Sequence, residues 1–397
     1  MSRSQSAAVT EDHYDIAVVG AGIHGAGVAQ AAAGYRTLVI EKSAPGAGTS
    51  SRSSKLIHGG LRYLESGQIS LVRESLRERE ILLRIAPGLV RRVPFLIPVY
   101  QDSARPPWKI RLGLSAYALL GGGQRGTRFR SLGRNAWNAL DGLMTDGLCA
   151  VFEYWDAQTD DTALTRAVLI SARAYGAEVL YPALFEGAVG EGDAYRIRYR
   201  AQGQVRTCVA TVLINAGGPW VNEIQERAQA PSLAIDLVQG THIHLDRPLT
   251  DRVFYVESPR DRRPVFVMPW RGATLVGTTE TVFRSDPDKV RPLPEEIQYL
   301  EETLRHYFPR YPGQRMEAMA GLRVLPKGEA SPQDRSRETV LLCDDPARPH
   351  LVAIYGGKLT AYRATAAKVL RILGPSLPPV ARPVRTDRID LSASVTD

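Results

Sequence analysis

Apolar positions along this chain follow two periods, and their order predicts an α/β protein. A short unbroken apolar run, Asp15-Ile16-Ala17-Val18-Val19, reads as a buried strand; an alanine-rich helix to about Ala33 follows, and Thr37-Leu38-Val39-Ile40 reads as a second buried strand. From Gln68 to about Ile85, Ile69, Val72, Leu76 and Leu83 recur at helical spacing between arginines and glutamates, and Pro87-Gly88 stops the pattern. Phe95–Val99 reads as a strand of a second sheet. A helix is expected from Thr159-Asp160-Asp161, whose carboxylates suit a helix N-terminus, to about Ala174. Tyr195–Arg200 and Val205–Ile214 read as strands of a hairpin or meander. Between Leu237 and Val282 apolar runs alternate with turns, which predicts a largely antiparallel sheet. A helix from Glu296 to His306, a strand Leu351–Tyr355 and a helix from about Ala361 to Leu373 complete the pattern. The prolines and arginines beyond Leu373 read as a loosely ordered tail.

Composition narrows the class. With 397 residues, 44% of them hydrophobic and 23% charged, the chain can bury one large core or two connected ones. Fifty Lys+Arg against 42 Asp+Glu leave a net charge of +8, spread along the sequence, which argues against a nucleic-acid binder and suits an anionic substrate or an anionic membrane surface. Cys149, Cys208 and Cys343 lie far apart with no C-x-x-C pair, which argues against a disulfide framework, a zinc site or an iron–sulfur cluster and suits a reducing compartment. The first 13 residues lack the apolar core of a secretory signal, and no apolar run approaches about 20 residues. The expected location is the cytoplasm, free or peripheral on the inner face of the cell membrane.

The first strand empties into Gly20-Ala21-Gly22-Ile23-His24-Gly25, and the second ends at Glu41, 21 positions after the first glycine. That is the βαβ signature of a dinucleotide site. Gly20 permits the tight turn, Gly22 lets backbone approach a pyrophosphate, Gly25 lets helix pack on strand, and Glu41 accepts from a ribose hydroxyl. His24 reads as a polar group of that loop. Close behind lies Thr49–Glu65, which crowds hydroxyls, Lys55, His58, Arg62 and the pair Gly59-Gly60, a set that favours an anionic ligand beside a flat cofactor. Val212–Asn215 running into Ala216-Gly217-Gly218 reads as a second backbone approach to the cofactor or as a plain turn. Pro106–Arg130 mixes Trp108, Leu112 and Leu119 with Lys109, Arg111, Arg125, Arg128 and Arg130, and two readings stand: an interfacial helix with an arginine-rich loop, or an ordinary cap helix.

Ser53–Glu65, Gly277-Thr278-Thr279-Glu280, Gly321-Leu322-Arg323 and Gly356–Arg363, in that order, resemble the FAD-dependent glycerol-3-phosphate dehydrogenase and oxidase family, within the glycine-oxidase-like flavoprotein fold. The resemblance spans about Tyr14 to Leu373. It implies a Rossmann-like FAD-binding domain (residues 14–90, 148–235 and 319–375) and a mixed or antiparallel substrate domain (91–147 and 236–318), followed by the tail 376–397. It also implies that a C-terminal helical domain of many bacterial members is absent from this sequence. The activity implied is hydride transfer from C2 of sn-glycerol 3-phosphate to flavin N5, giving dihydroxyacetone phosphate, with quinone or oxygen as the electron acceptor. FAD contacts are expected from Gly20, Gly22, Gly25, Glu41, Ser51, Ser54, Lys55, His58, Gly59, Ala216, Gly217, Gly357, Lys358, Leu359 and Thr360. Arg62, Tyr63, Lys358 and Thr360 are expected to hold the phosphate and lower hydroxyls. Arg323 is expected beside the reacting alcohol, unless an ion pair claims it, and His242, ahead of His58, is expected to take the hydroxyl proton. Glu280 stands where an aspartate is more usual.

Two other readings compete. An oxidase or dehydrogenase of an amino or 2-hydroxy acid, or of a related phosphorylated alcohol, shares the flavin half of the argument. A non-catalytic flavin-binding or membrane-surface protein needs none of the lysine, arginine and histidine set. No metal is expected.

Overall fold

The protein is described from a computed structural model, which covers residues 11–123, 125–328, 335, 338–380 and 383–392. Two sheets carry the chain. The first has eight strands, six of them in the order Val340–Cys343, Leu351–Tyr355, Gln204–Asn215, Asp12–Val19, Thr37–Ile40, Glu178–Leu180; all these neighbours pair in parallel except the first two. Its centre is buried on both faces because strand side chains alternate. Ile16 and Val18 pack under the helices Ile23–Ala31, Asp161–Ala174 and Tyr362–Leu373, whereas Tyr14, Ala17 and Val19 pack against the antiparallel meander Ala183–Glu191 and Ala194–Ala201. Helix Ile23–Ala31 sits close to helix Tyr362–Leu373 because Gly27 has no side chain: a Cβ there would lie 2.6 Å from the Tyr362 ring.

The second sheet has ten strands and is antiparallel apart from one short parallel pairing between Val253–Glu257 and Val90–Tyr100. Its long seams are Ile235–Leu245 against Arg315–Pro326 and Val90–Tyr100 against Leu148–Thr159. These pairings move the expected domain borders. Leu148–Thr159, assigned from sequence to the cofactor half, is a strand of the second sheet, and so is Arg315–Pro326. The chain returns to the first layer with the helix Asp161–Ala174, where the Asp160 carboxylate accepts a hydrogen bond of 3.0 Å from the Ala163 amide as an N-cap.

The helices expected over 68–85 and 296–306 fall within a few residues of those bounds, as Ile69–Ile85 and Pro294–Tyr307, and the segment 106–130 holds the helix Pro107–Leu120. The tail departs from expectation. Leu377 and Leu391 are buried in the first core, the Leu391 amide donates to the Ile85 carbonyl at 2.7 Å, and Arg363 donates to Thr386. Apolar residues spaced among prolines gave no periodicity to read, yet they dock on helix Ile69–Ile85; residues 381–382 and 393–397 of that tail lie outside the described residues.

Leu391→Ala is expected to lower stability by about 2–5 kcal/mol, the usual cost of truncating a buried leucine. Urea unfolding measures it, and a loss below about 0.5 kcal/mol would mean that the tail does not pack as described.

Candidate functional site

Between the two sheets lies one cavity of about 680 Å³. The glycine loop forms one end. Gly20 takes a positive φ of 102°, and a Cβ there would meet the Ala216 carbonyl oxygen at 2.6 Å; at Gly25 a Cβ would lie 1.9 Å from the Gly20 carbonyl oxygen. Both positions therefore need glycine, as the spacing predicts, but Gly25 packs behind the loop while Gly20 and Gly22 line the cavity. Glu41 also lines it. Its carboxylate accepts from the Ala21 amide at 2.8 Å and the Ser43 amide at 2.9 Å, fixing the acid at the end of its strand. His24 stands in the same wall with its Nδ1 buried and unpartnered, and burial lowers its pKa to about 4. Beside the loop, Ala216 and Gly217 line the cavity at the end of Gln204–Asn215, followed by Trp220, whose ring carries the Lys42 ammonium 3.6 Å from its centre.

The rest of the wall gathers the chemistry. Ser54, His58, Arg62 and Tyr63 from the segment after the first crossover, His242 and Arg323 from the second sheet, and Gly357, Lys358, Leu359 and Thr360 after Leu351–Tyr355 all line the same space. Arg323 and His242 share a wall because their strands pair, with Val238 opposite Arg323 and His242 opposite Met319. Arg323 donates to Glu280 Oε1 at 2.8 Å and to Thr278 Oγ1 at 3.2 Å, so the ion pair anticipated as an alternative is present and coexists with a place on the cavity wall. Lys358 Nζ lies 3.6 Å above the Tyr63 ring. The His58 amide donates to Thr360 Oγ1 at 3.2 Å, tying the two strand-end segments together.

Both histidines are neutral at neutral pH. Ser54 Oγ lies 3.0 Å from His242 Nε2, and the pKa of His242 is lowered to about 3, first by burial and then by Arg323 and Lys55. His58 is lowered to about 4, again chiefly by burial, with Lys358 and Arg62 adding to it and Asp156 opposing.

Lys55, expected to contact the cofactor, turns the other way. Its ammonium is buried and donates to Asp161 Oδ1 at 2.7 Å and to the Ser51 carbonyl at 2.6 Å, away from the cavity wall. Ser51 is spent on its own turn, its hydroxyl donating to the Gly48 carbonyl, and Gly59 lies behind the wall with its amide donating to the Tyr117 hydroxyl at 2.9 Å. Sequence reasoning missed Arg52, Tyr154, Trp220, Tyr255 and Phe266 on the wall. Arg52 stands within the polar segment already singled out, and Trp220 follows the glycine turn at residues 216–218. The aromatics Tyr154, Tyr255 and Phe266 carry no local signal, because which face of their strands meets the cavity depends on sheet pairing.

The family model described as FAD dependent oxidoreductase matches residues 15–363. The chain belongs to the FAD dependent oxidoreductase family. Among curated relatives of this oxidoreductase, glycerol-3-phosphate dehydrogenase of Pseudomonas aeruginosa is 36% identical over 91% of this chain and 72% of its own length. D-erythritol 1-phosphate dehydrogenase of Brucella abortus is 34% identical over 89% of this chain and 72% of its own. The structure of glycerol-3-phosphate dehydrogenase from Bacillus halodurans complexed with FAD superposes with a TM-score of 0.76 at 25% identity, covering 97% of this chain and 68% of that one. FAD is the cofactor of this oxidoreductase. The residues present suit it: a glycine loop open to backbone approach, an acid at the second strand end, and the buried, unpartnered His24 Nδ1 in the wall.

The depressed histidines set a direction for stability against pH. An unfolded histidine titrates near 6.5, so the unfolded chain binds more protons between that value and about 3; the stability contributed by a buried neutral histidine is complete above pH ~6.5 and is lost as pH falls. His242→Gln is expected to remove up to about 1.4 kcal/mol per pH unit from the slope of unfolding free energy between pH 6 and 4. Denaturant titrations across that range measure it, and an unchanged slope would mean that His242 is not held neutral.

Proposed function

We propose that this oxidoreductase oxidises sn-glycerol 3-phosphate to dihydroxyacetone phosphate. One observation carries the reading: Arg62, Arg323 and Lys358, drawn from three separate stretches of sequence, line one cavity together with two neutral histidines. FAD, held by the glycine loop and Glu41, would supply the two-electron acceptor for the hydride that leaves C2. Arg62 and Lys358, with Tyr63 and Thr360, hold the phosphate; arginine offers a planar fork and lysine a point charge, a pair suited to a small dianion. Arg323, oriented by Glu280 and Thr278, faces the C2 oxygen and stabilises charge developing there. His242, backed by Ser54, accepts the hydroxyl proton. Burial first, and Arg323 and Lys55 after it, depress this histidine in the ligand-free site, and negative charge growing on the C2 oxygen raises its affinity for that proton.

Two of the closely matching relatives are named for different phosphorylated polyols, which favours a second reading of the same site, a longer polyol phosphate. Anaerobic mixing of the yellow holoenzyme with glycerol 3-phosphate, erythritol 1-phosphate, and panels of amino and 2-hydroxy acids separates the readings. Bleaching by glycerol 3-phosphate is expected, and bleaching by the acids alone would overturn the assignment. Arg323→Ala is expected to keep FAD while losing about 10²–10³ in kcat, the usual cost of removing an oxyanion donor. Recolouring on admission of air points to an oxidase, and persistent bleaching to a dehydrogenase with another acceptor.

Electrons passed to a quinone require contact with a membrane. No helix among the described residues is long and apolar enough to cross one. Helix Pro107–Leu120 buries Ile110, Leu114 and Tyr117 and exposes Trp108, Leu112 and Leu119 beside Lys109 and Arg111, which suits docking on an anionic surface; Gln124 and the side chain of Arg125 lie outside the described residues. Co-sedimentation with phosphatidylserine-containing vesicles at low salt is expected and is lost in a Trp108→Ser/Leu112→Ser double variant. Absence of wild-type binding would rule this surface out as a dock.

A further inference from the structure

Three buried polar side chains take no part in the chemistry above. Arg79 is 0% exposed, Asp156 1% and Tyr117 1%, and they come from helix Ile69–Ile85, strand Leu148–Thr159 and helix Pro107–Leu120. Asp156 Oδ2 accepts the Tyr117 hydroxyl proton at 2.6 Å, while Oδ1 accepts from Arg79 Nη1 at 2.5 Å and, at a longer 3.4 Å, from the Gly59 amide. The Tyr117 oxygen is itself the acceptor for the Gly59 amide at 2.9 Å. Arg79 continues to Glu80 at 2.9 Å and Glu80 to Arg92 at 2.5 Å, so charges alternate in sign from the core to the surface.

We propose that Tyr117, Asp156 and Arg79 are positioning residues that fix the Gly59 backbone behind the FAD cavity, and that they set FAD affinity without touching the cofactor. Gly59 has no slack. A Cβ on it would stand 2.5 Å from the Tyr117 oxygen and 2.6 Å from Leu76 Cδ2. Its two neighbours, His58 and Gly60, line the cavity, so any shift of the Gly59 peptide moves the wall on both sides. Tyr117 stays protonated, because burial and then Asp156 push its pKa well up; its hydroxyl therefore donates to the carboxylate and accepts from the amide at the same time. Stability alone does not call for such a set. Buried ionic groups are often replaced by apolar ones of similar volume at no loss, and their better use is to impose one geometry. The inference rests on FAD occupying this cavity and is independent of the substrate.

Tyr117→Phe deletes one oxygen and keeps the ring that packs edge-on to Tyr154 at 5.9 Å. Its test is the FAD dissociation constant of the folded holoenzyme, followed by recovery of flavin fluorescence on dilution. The constant is expected to rise about ten-fold, the worth of the buried hydrogen bond that the Gly59 amide loses, while KM for glycerol 3-phosphate in saturating FAD stays within two-fold. A purely structural role would lower the yield of folded protein and leave that constant unchanged; a value within two-fold of wild type overturns the proposal. If Tyr117→Phe does not fold, Asp156→Asn, which keeps the shape and removes the charge, is judged by the same criterion. Because no substrate turnover enters the deciding measurement, failure of the substrate assignment leaves this result legible.

Discussion

The ion pair between Lys55 and Asp161 is the constraint on which the site depends. Both groups are buried, 5% and 0% exposed at the side chain, and the carboxylate also accepts from the Ser53 amide and hydroxyl. A buried charge that loses its partner costs about 3–5 kcal/mol, so the segment from Ser51 to Lys55 cannot leave the start of helix Asp161–Ala174 without a large penalty. With Lys55 drawn inward and held at a positive φ of 60°, the following residues reverse direction into the short strand Leu56–Ile57. That strand pairs with Leu148–Thr159 of the second sheet. One chain segment is therefore anchored to the first layer by charge and to the second by backbone hydrogen bonds, and His58 to Tyr63 emerge where the layers meet.

The second sheet answers from the other side. Ile235–Leu245 carries His242, and its pairing with Arg315–Pro326 brings Arg323 to the same wall. Behind this seam Glu296 is buried and accepts from Thr241, Thr279, Thr281 and Gln239, so the turn after Gly277 that carries Thr278 and Glu280 is held by a satisfied carboxylate rather than left free to move. Arg323 consequently meets Glu280 and Thr278 in fixed places. The polar groups at the cavity are set by polar groups one layer deeper, and the Asp161 and Glu296 carboxylates have both oxygens partnered, which is the condition under which burying them is tolerable.

Much of this was legible in the chain because the signals are local. The glycine spacing and Glu41 fix strand, turn and helix within about 30 residues, and the crowding of Thr49–Glu65 marks a site without any knowledge of its partners. What failed to be legible depends on partners far away in sequence. Lys55 looks like a ligand-binding cation until Asp161, 106 residues on, is known to face it. Leu148–Thr159 has the apolar content of a strand in either sheet, and only its register against Val90–Tyr100 decides the matter. The tail shows no period, yet Leu391 finds a hole in the first core. Tyr117 reads as one more apolar position of an amphipathic helix, and its hydroxyl gains meaning only from Gly59 and Asp156.

The division of labour among the three cations follows from their neighbours. Arg323 already shares its guanidinium with Glu280, so much of its charge is balanced before any ligand arrives. A dianion would compete with that carboxylate for the same fork, at a cost in repulsion against Glu280. A neutral hydroxyl carries no such penalty, and the guanidinium, held in place, gains only as negative charge grows on the oxygen; that difference between ground state and transition state is what accelerates a reaction. Arg62 makes no ion pair among the described residues, and its chain neighbour Tyr63 carries the Lys358 ammonium over its ring. On the proposed reading the phosphate therefore belongs with Arg62 and Lys358 and the reacting carbon with Arg323, an ordering that the carboxylate of Glu280 supports as much as the arginine itself.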